Sequence, residues 1–117
     1  MTIKDLENYG INLDEAMELC IGDEDIYKEV LETFMEEGRE KLVLMEDLMN
    51  AKDVERYIIE AHGLKNAAKQ IGADELSAMS KDSEFDGKEG RPDSMFERHS
   101  LLMEKYRSIV DVISQLF

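Results

Sequence analysis

Residues 60 to 73 read EAHGLKNAAKQIGA, and they hold the chain's clearest candidate chemistry. A neutral imidazole is a nucleophile toward phosphorus. A phosphoryl group placed on it carries roughly two negative charges, which call for a cation nearby. Lys65 stands three residues after His62 and Lys69 seven after, so on a helix both return to the histidine's side. Gly63 and Asn66 are small enough to let a second protein approach the ring in line. Ile59, one turn earlier, offers that protein an apolar contact.

The helix that must position these residues is legible in its periodicity. At about 100° per residue, Val54, Tyr57, Ile58, Ala61, Leu64, Ala68 and Ile71 fall in one arc that faces a core. His62 lies roughly 115–120° from the centre of that arc, on an outward flank. A plainer account of the same residues exists. A surface histidine is usually just solvated, and the lysines can form helix salt bridges, Lys65 with Glu60 or Lys69 with Asp74.

The rest of the chain also reads as helix, with no stretch alternating like a half-buried strand. Asn12 followed by Glu15 resembles a capping box. It opens a short helix with Leu13, Met17 and Cys20 on one face, ended by Gly22. Asp23 can cap a long helix to about Asn50, whose stripe is Ile26, Val30, Phe34, Leu42, Met45 and Met49, broadened by Tyr27, Leu31 and Met35. Gly38 inside it marks a close helix contact or a bend. Asp53 can cap the helix that carries His62, and Gly72 is its natural stop. Asp74 caps a fourth helix to about Asp86. DGKEGRPD then reads as a loop, and one last helix runs from Pro92 or Asp93 to the C-terminus. The expectation is an all-α fold, an antiparallel four-helix bundle with a short additional N-terminal helix, forming one domain over residues 1–117.

Composition narrows the function. The formal charge is −14, from 28 acids against 14 bases, which repels phosphate backbones and anionic membranes. No apolar run approaches the ~20 residues of a membrane span, and the start lacks a signal peptide's pattern. A cytoplasmic protein without nucleic-acid or membrane partners is expected. Cys20 is the only cysteine and reads as a buried thiol. One cysteine and two separated histidines make no zinc site. Asp86 to Glu97 has the length of a calcium loop, but Lys88, Gly90 and Arg91 fall at its third, fifth and sixth positions and break the pattern. His99, near the last helix's stripe, reads as structural. Eight methionines suit an irregular core.

The order of residues around His62 resembles the signature of histidine-containing phosphotransfer domains, H-x-L-K-G-x-x-x-x-x-G-A. His62, Leu64, Lys65, Gly72 and Ala73 fall in place, and Leu76 follows. Upstream, GINLDEAMELCIGDEDIYKEVLETF is similar to the family's opening. Asn66 replaces the usual glycine. Ser83 stands where a leucine is usual, before Glu84 and Phe85, and is expected to weaken the fourth helix's stripe.

The resemblance implies a phosphorelay intermediate. His62 would take a phosphoryl group from a receiver-domain aspartate and pass it to another receiver, in two-component signalling served by a histidine kinase or hybrid kinase. Lys65 would steady the phosphoryl group, and Ile59, Gly63, Asn66 and Lys69 would meet the partner. No P-loop or glycine-rich nucleotide loop is present, so a phosphocarrier rather than a kinase is expected. It would need no cofactor of its own, the magnesium ion belonging to the receiver, and would act as a monomer. The alternative from another class is a docking module that binds the same partners without being phosphorylated.

Overall fold

Asn12, Asp23 and Asp53 start three of the helices. Asn12 accepts a hydrogen bond from the Glu15 amide, Asp23 from those of Asp25 and Ile26, and Asp53 from that of Arg56. Each satisfies amides that a helix start leaves free. The computed structural model describes all 117 residues. Its helices are α1 (Leu13–Leu19), α2 (Glu24–Asn50), α3 (Val54–Ile71), α4 (Asp74–Lys88), α5 (Pro92–Glu97) and α6 (His99–Ser114). α2, α3, α4 and α6 form the expected bundle, with α1 packed against α2 and α3. No helix is long and apolar enough to cross a membrane.

Several expectations are corrected. A 3-10 helix, Ile3–Tyr9, precedes α1 and buries Ile3 and Leu6; its period of three departs from the 3.6 of an α-helical stripe. On α2 the core face is Tyr27, Leu31, Phe34, Met35, Met45 and Leu48, while Ile26 is exposed. Most of that face is the expected stripe; Leu48 joins it, and Val30, Leu42 and Met49 pack at its edge, partly buried. Ala73, not Asp74, holds the cap position of α4.

The segment DGKEGRPD is mostly helical: α4 runs through Lys88, and α5 begins at Pro92. The last helix is broken at Arg98, between α5 and α6. Asp86 spans the break. Its buried carboxylate accepts from Arg98 at 2.7 Å and from Arg91 at 3.1 Å. These bonds, led by Arg98, hold it below the usual carboxylate range. They clasp the end of α4 to both ends of α5.

Two polar contacts tie the bundle together. Tyr27 donates to the Ile71 carbonyl at 2.8 Å. His99, nearly inaccessible to solvent, sits between Tyr57 and Glu46. The Glu46 carboxylate can only accept, so His99 Nε2–H donates to it at 2.6 Å, and Nδ1 accepts from the Tyr57 hydroxyl at 2.7 Å. That links α3, α6 and α2, the structural role expected of this histidine. Met35, Met45, Met95 and Met103 are buried, as is Cys20.

Gly38 is a close contact rather than a bend. A Cβ there would lie 2.8 Å from Val110 Cγ2 and 3.2 Å from Tyr106 Cε1, so α2 and α6 approach across it. Gly72 ends α3 with φ of 84°, and a Cβ would come 2.4 Å from the Asn12 carbonyl oxygen. The same turn donates nothing sideways but accepts, at its own carbonyl, the Asn12 amide at 2.8 Å. Gly72→Ala combines left-handed strain with a backbone clash and is expected to cost about 2–3 kcal/mol of stability. Urea unfolding of the variant measures it; an unchanged midpoint contradicts the close approach.

Candidate functional site

α3 presents His62 outward with its side chain 52% exposed, while Ala61 and Leu64 on either side of it in sequence are fully buried. Ile59, Asn66 and Lys69 are exposed with it. The helix turns each of them to the flank that their spacing predicts. Gly63 is different. It faces α2, and a Cβ there would meet Lys41 Nζ at 2.9 Å. Its smallness makes room for Lys41, which desolvation holds below the usual lysine range and which faces Glu60 at 3.6 Å. Glu60 is thus paired with Lys41 rather than with Lys65. Lys69 does reach Asp74, at 3.4 Å, and more closely Glu15, at 2.8 Å.

The residue that organises the site is Glu84, on α4. Its side chain is 5% exposed, yet it meets three donors. His62 Nδ1 lies 2.5 Å from Oε2, Lys65 Nζ 2.8 Å from Oε1, and Lys88 Nζ 3.0 Å from Oε2. Burial pushes the carboxyl's pKa up, but the bonds from Lys65, Lys88 and His62 together outweigh it and bring the group down to about 2. Glu84 is therefore a carboxylate at neutral pH and can only accept.

That decides the histidine's tautomer. A neutral ring carries its proton on Nδ1 and donates it to Glu84, which puts the lone pair on the outward Nε2. Asn66 Nδ2 lies 3.3 Å from Nε2 and can donate to it. The 3.4 Å contact between Lys65 Nζ and Nδ1 joins two donors and is not a hydrogen bond; Lys65 is held by Glu84. The arrangement gives an outward-facing nitrogen nucleophile, an anion behind the ring and a lysine alongside. No group of three or more His, Cys, Asp and Glu side chains is gathered to hold a metal ion.

A family model for the Hpt domain matches residues 29–112. The chain belongs to the Hpt domain family. Searches of curated proteins and of solved structures returned no match. Hpt domains are helical phosphocarriers that exchange phosphoryl groups with receiver domains and kinases in two-component phosphorelays. The matched span begins inside α2, so it takes in all four bundle helices but not the 3-10 helix or α1.

Sequence reasoning missed Glu84, Lys88 and Lys41 in this Hpt domain. A signal for Glu84 was present. Leu76, Ser77, Ser80, Ser83, Glu84 and Gly87 recur at helical spacing and are the buried face of α4. A search for apolar stripes passes over a face made of serines, a glycine and an acid. Ser77 and Gly87 on this face set its distance from α3. They let α4 approach α3 closely: Ser77 donates to the Lys65 carbonyl at 2.9 Å, and a Cβ on Gly87 would strike Ile58.

The depressed Glu84 pKa carries a pH dependence. Folded, the group titrates at about 2, against an ordinary value of 4.5. The unfolded chain binds the proton first, so the stabilisation is complete above about pH 4.5 and disappears as pH falls through about 2. Urea unfolding across pH 2–7 is expected to show wild type more stable than Glu84→Gln at neutral pH, with the gap closing on acidification. A gap independent of pH contradicts the ion-pair arrangement.

Proposed function

We propose that this Hpt domain is a phosphorelay intermediate whose phosphorylated residue is His62. It accepts a phosphoryl group from the aspartate of one response-regulator receiver domain and passes it to another, downstream of a histidine kinase or hybrid kinase. The observation that carries this reading is the short contact between His62 Nδ1 and Glu84, which leaves Nε2 as an exposed nucleophile.

In the forward step the Nε2 lone pair attacks phosphorus. The Nε2–P bond forms as the bond from phosphorus to the aspartyl oxygen breaks, and the electron pair leaves with the aspartate as carboxylate. The ring becomes a cation that keeps its proton on Nδ1, and Glu84 stands against that charge. Glu84 then no longer needs Lys65, which is free to swing to the phosphoryl oxygens. Lys88 stays with Glu84. Glu84 keeps two cationic partners before and after transfer, with the His62 ring replacing Lys65. Asn66 gives up its contact with Nε2 as the lone pair attacks and donates to the phosphoryl group instead. Return to a second aspartate reverses each step. The receiver brings the magnesium ion, and this chain brings position and charge compensation. The protein is a carrier and not a kinase, a monomeric unit over residues 1–117, acting in the cytoplasm.

Ile59, Asn66 and Lys69 form the partner-facing surface on α3. Gly63 serves it indirectly, by letting Lys41 lie against the helix beside His62.

Phosphotransfer from a phosphorylated receiver domain, in magnesium, tests the reading. Wild type is expected to take up acid-labile, alkali-stable phosphate, and His62→Gln none. Lys65→Ala is expected to keep the fold and slow transfer about 10- to 100-fold. Receivers that bind wild type yet leave it unlabelled would overturn the carrier in favour of a docking module. Unimpaired transfer by Lys65→Ala contradicts the partner exchange.

A further inference from the structure

α4 carries a large apolar side chain that the bundle does not use. Phe85 follows Glu84 directly and is 57% exposed. Glu84 turns toward His62, and the next helical step of about 100° carries Phe85 to the outer flank. Its neighbours one turn away on that flank are Lys81 and Lys88. Lys88 is already part of the site through Glu84. Lys81 lines the same α3–α4 groove as Lys65, Asn66 and Lys69. Phe85 therefore borders the surface around His62.

The ring is braced. The Arg91 guanidinium lies 5.3 Å from its centroid, and Arg91 is itself held by Asp86. A restrained aromatic side chain loses little freedom when a partner covers it, and aromatic anchors of this kind dominate many interfaces. On α3, Ile59 is 61% exposed, so the two helices each contribute one large apolar side chain to this surface. The α3–α4 groove carries Lys65, Lys69 and Lys81, and Lys88 stands one turn from Phe85, on a chain whose net charge is −14. A partner that presents an aspartyl phosphate is anionic at its approach, and local cations complement it.

We propose that Phe85, braced by Arg91, is the α4 anchor by which this domain selects among receiver domains. The favoured receiver sets an apolar patch against Phe85 beside its acidic phosphoryl site. This inference rests on the carrier reading above.

The test compares wild type, Phe85→Ala and Phe85→Tyr with two kinds of donor. One is phosphoramidate, a small molecule that needs no docking surface. The other is a panel of the source organism's receiver domains, each charged with acetyl phosphate. Phe85→Ala is expected to take phosphate from phosphoramidate at the wild-type rate. With the favoured receiver it should lose roughly tenfold or more in kcat/KM, through KM with kcat kept, while receivers that wild type uses poorly change little. Phe85→Tyr restores the preference. Equal kcat/KM for wild type and Phe85→Ala across the panel overturns the inference and leaves the carrier intact. An equal loss with phosphoramidate also overturns it, since Phe85 would then act on the histidine and not on docking. A wild type inert toward every donor overturns the carrier reading itself.

Discussion

A buried carboxylate stays ionised only if enough donors converge on it, and Glu84 is where that constraint shapes this protein. Three donors reach it from two helices: His62 and Lys65 from α3, Lys88 from α4 itself. Without them, burial would favour the protonated acid. A protonated Glu84 would no longer dictate which ring nitrogen holds the proton. The orientation of the imidazole, the freedom of Nε2 and the resting place of Lys65 all follow from one charge kept in place.

Meeting that condition requires α3 and α4 to lie close together. The buried face of α4 includes Ser77, Ser80, Ser83 and Gly87, residues that give little apolar burial, and Ser77 and Gly87 meet α3 directly. The deficit is met elsewhere. α2 and α6 bring Tyr27, Leu31, Phe34, Leu102, Tyr106 and Ile113 into the core, and Asp86 clasps the far end of α4 with two arginines. The bundle is thus asymmetric, with a more hydrophobic half that stabilises it and a closely spaced, more polar half that holds the candidate site. Buried polar groups are tolerable there because nearly all are hydrogen-bonded; Ser83 Oγ is the exception.

The charge distribution has the same asymmetry. A chain of net charge −14 collects Lys65, Lys69, Lys81 and Lys88 along the α3–α4 side. Lys65 and Lys88 are paired with Glu84 and Lys69 with Glu15 and Asp74, so Lys81 is the one of the four without an acidic partner. Membership of the Hpt domain family gives this arrangement its context.

From the sequence alone, helix type, most caps, the bundle and the outward flank of His62 were determined, because periodicity and capping act within a few residues. Local rules also missed what distant residues add: Arg98, at the break before α6, is held by Asp86, twelve residues away, and Gly38 on α2 meets Val110 and Tyr106 of α6. Lys65 was legible as a neighbour of His62, but its partner was not, since Glu84 lies on another helix behind serines that no apolar stripe would mark. Gly63 was legible as small, yet its occupant, Lys41, comes from α2. Spacing along one helix decides which side chains share a face. Only the tertiary structure decided which charges meet across helices, and so which nitrogen of His62 is left free, because a proton's position answers to contacts that the chain makes on folding.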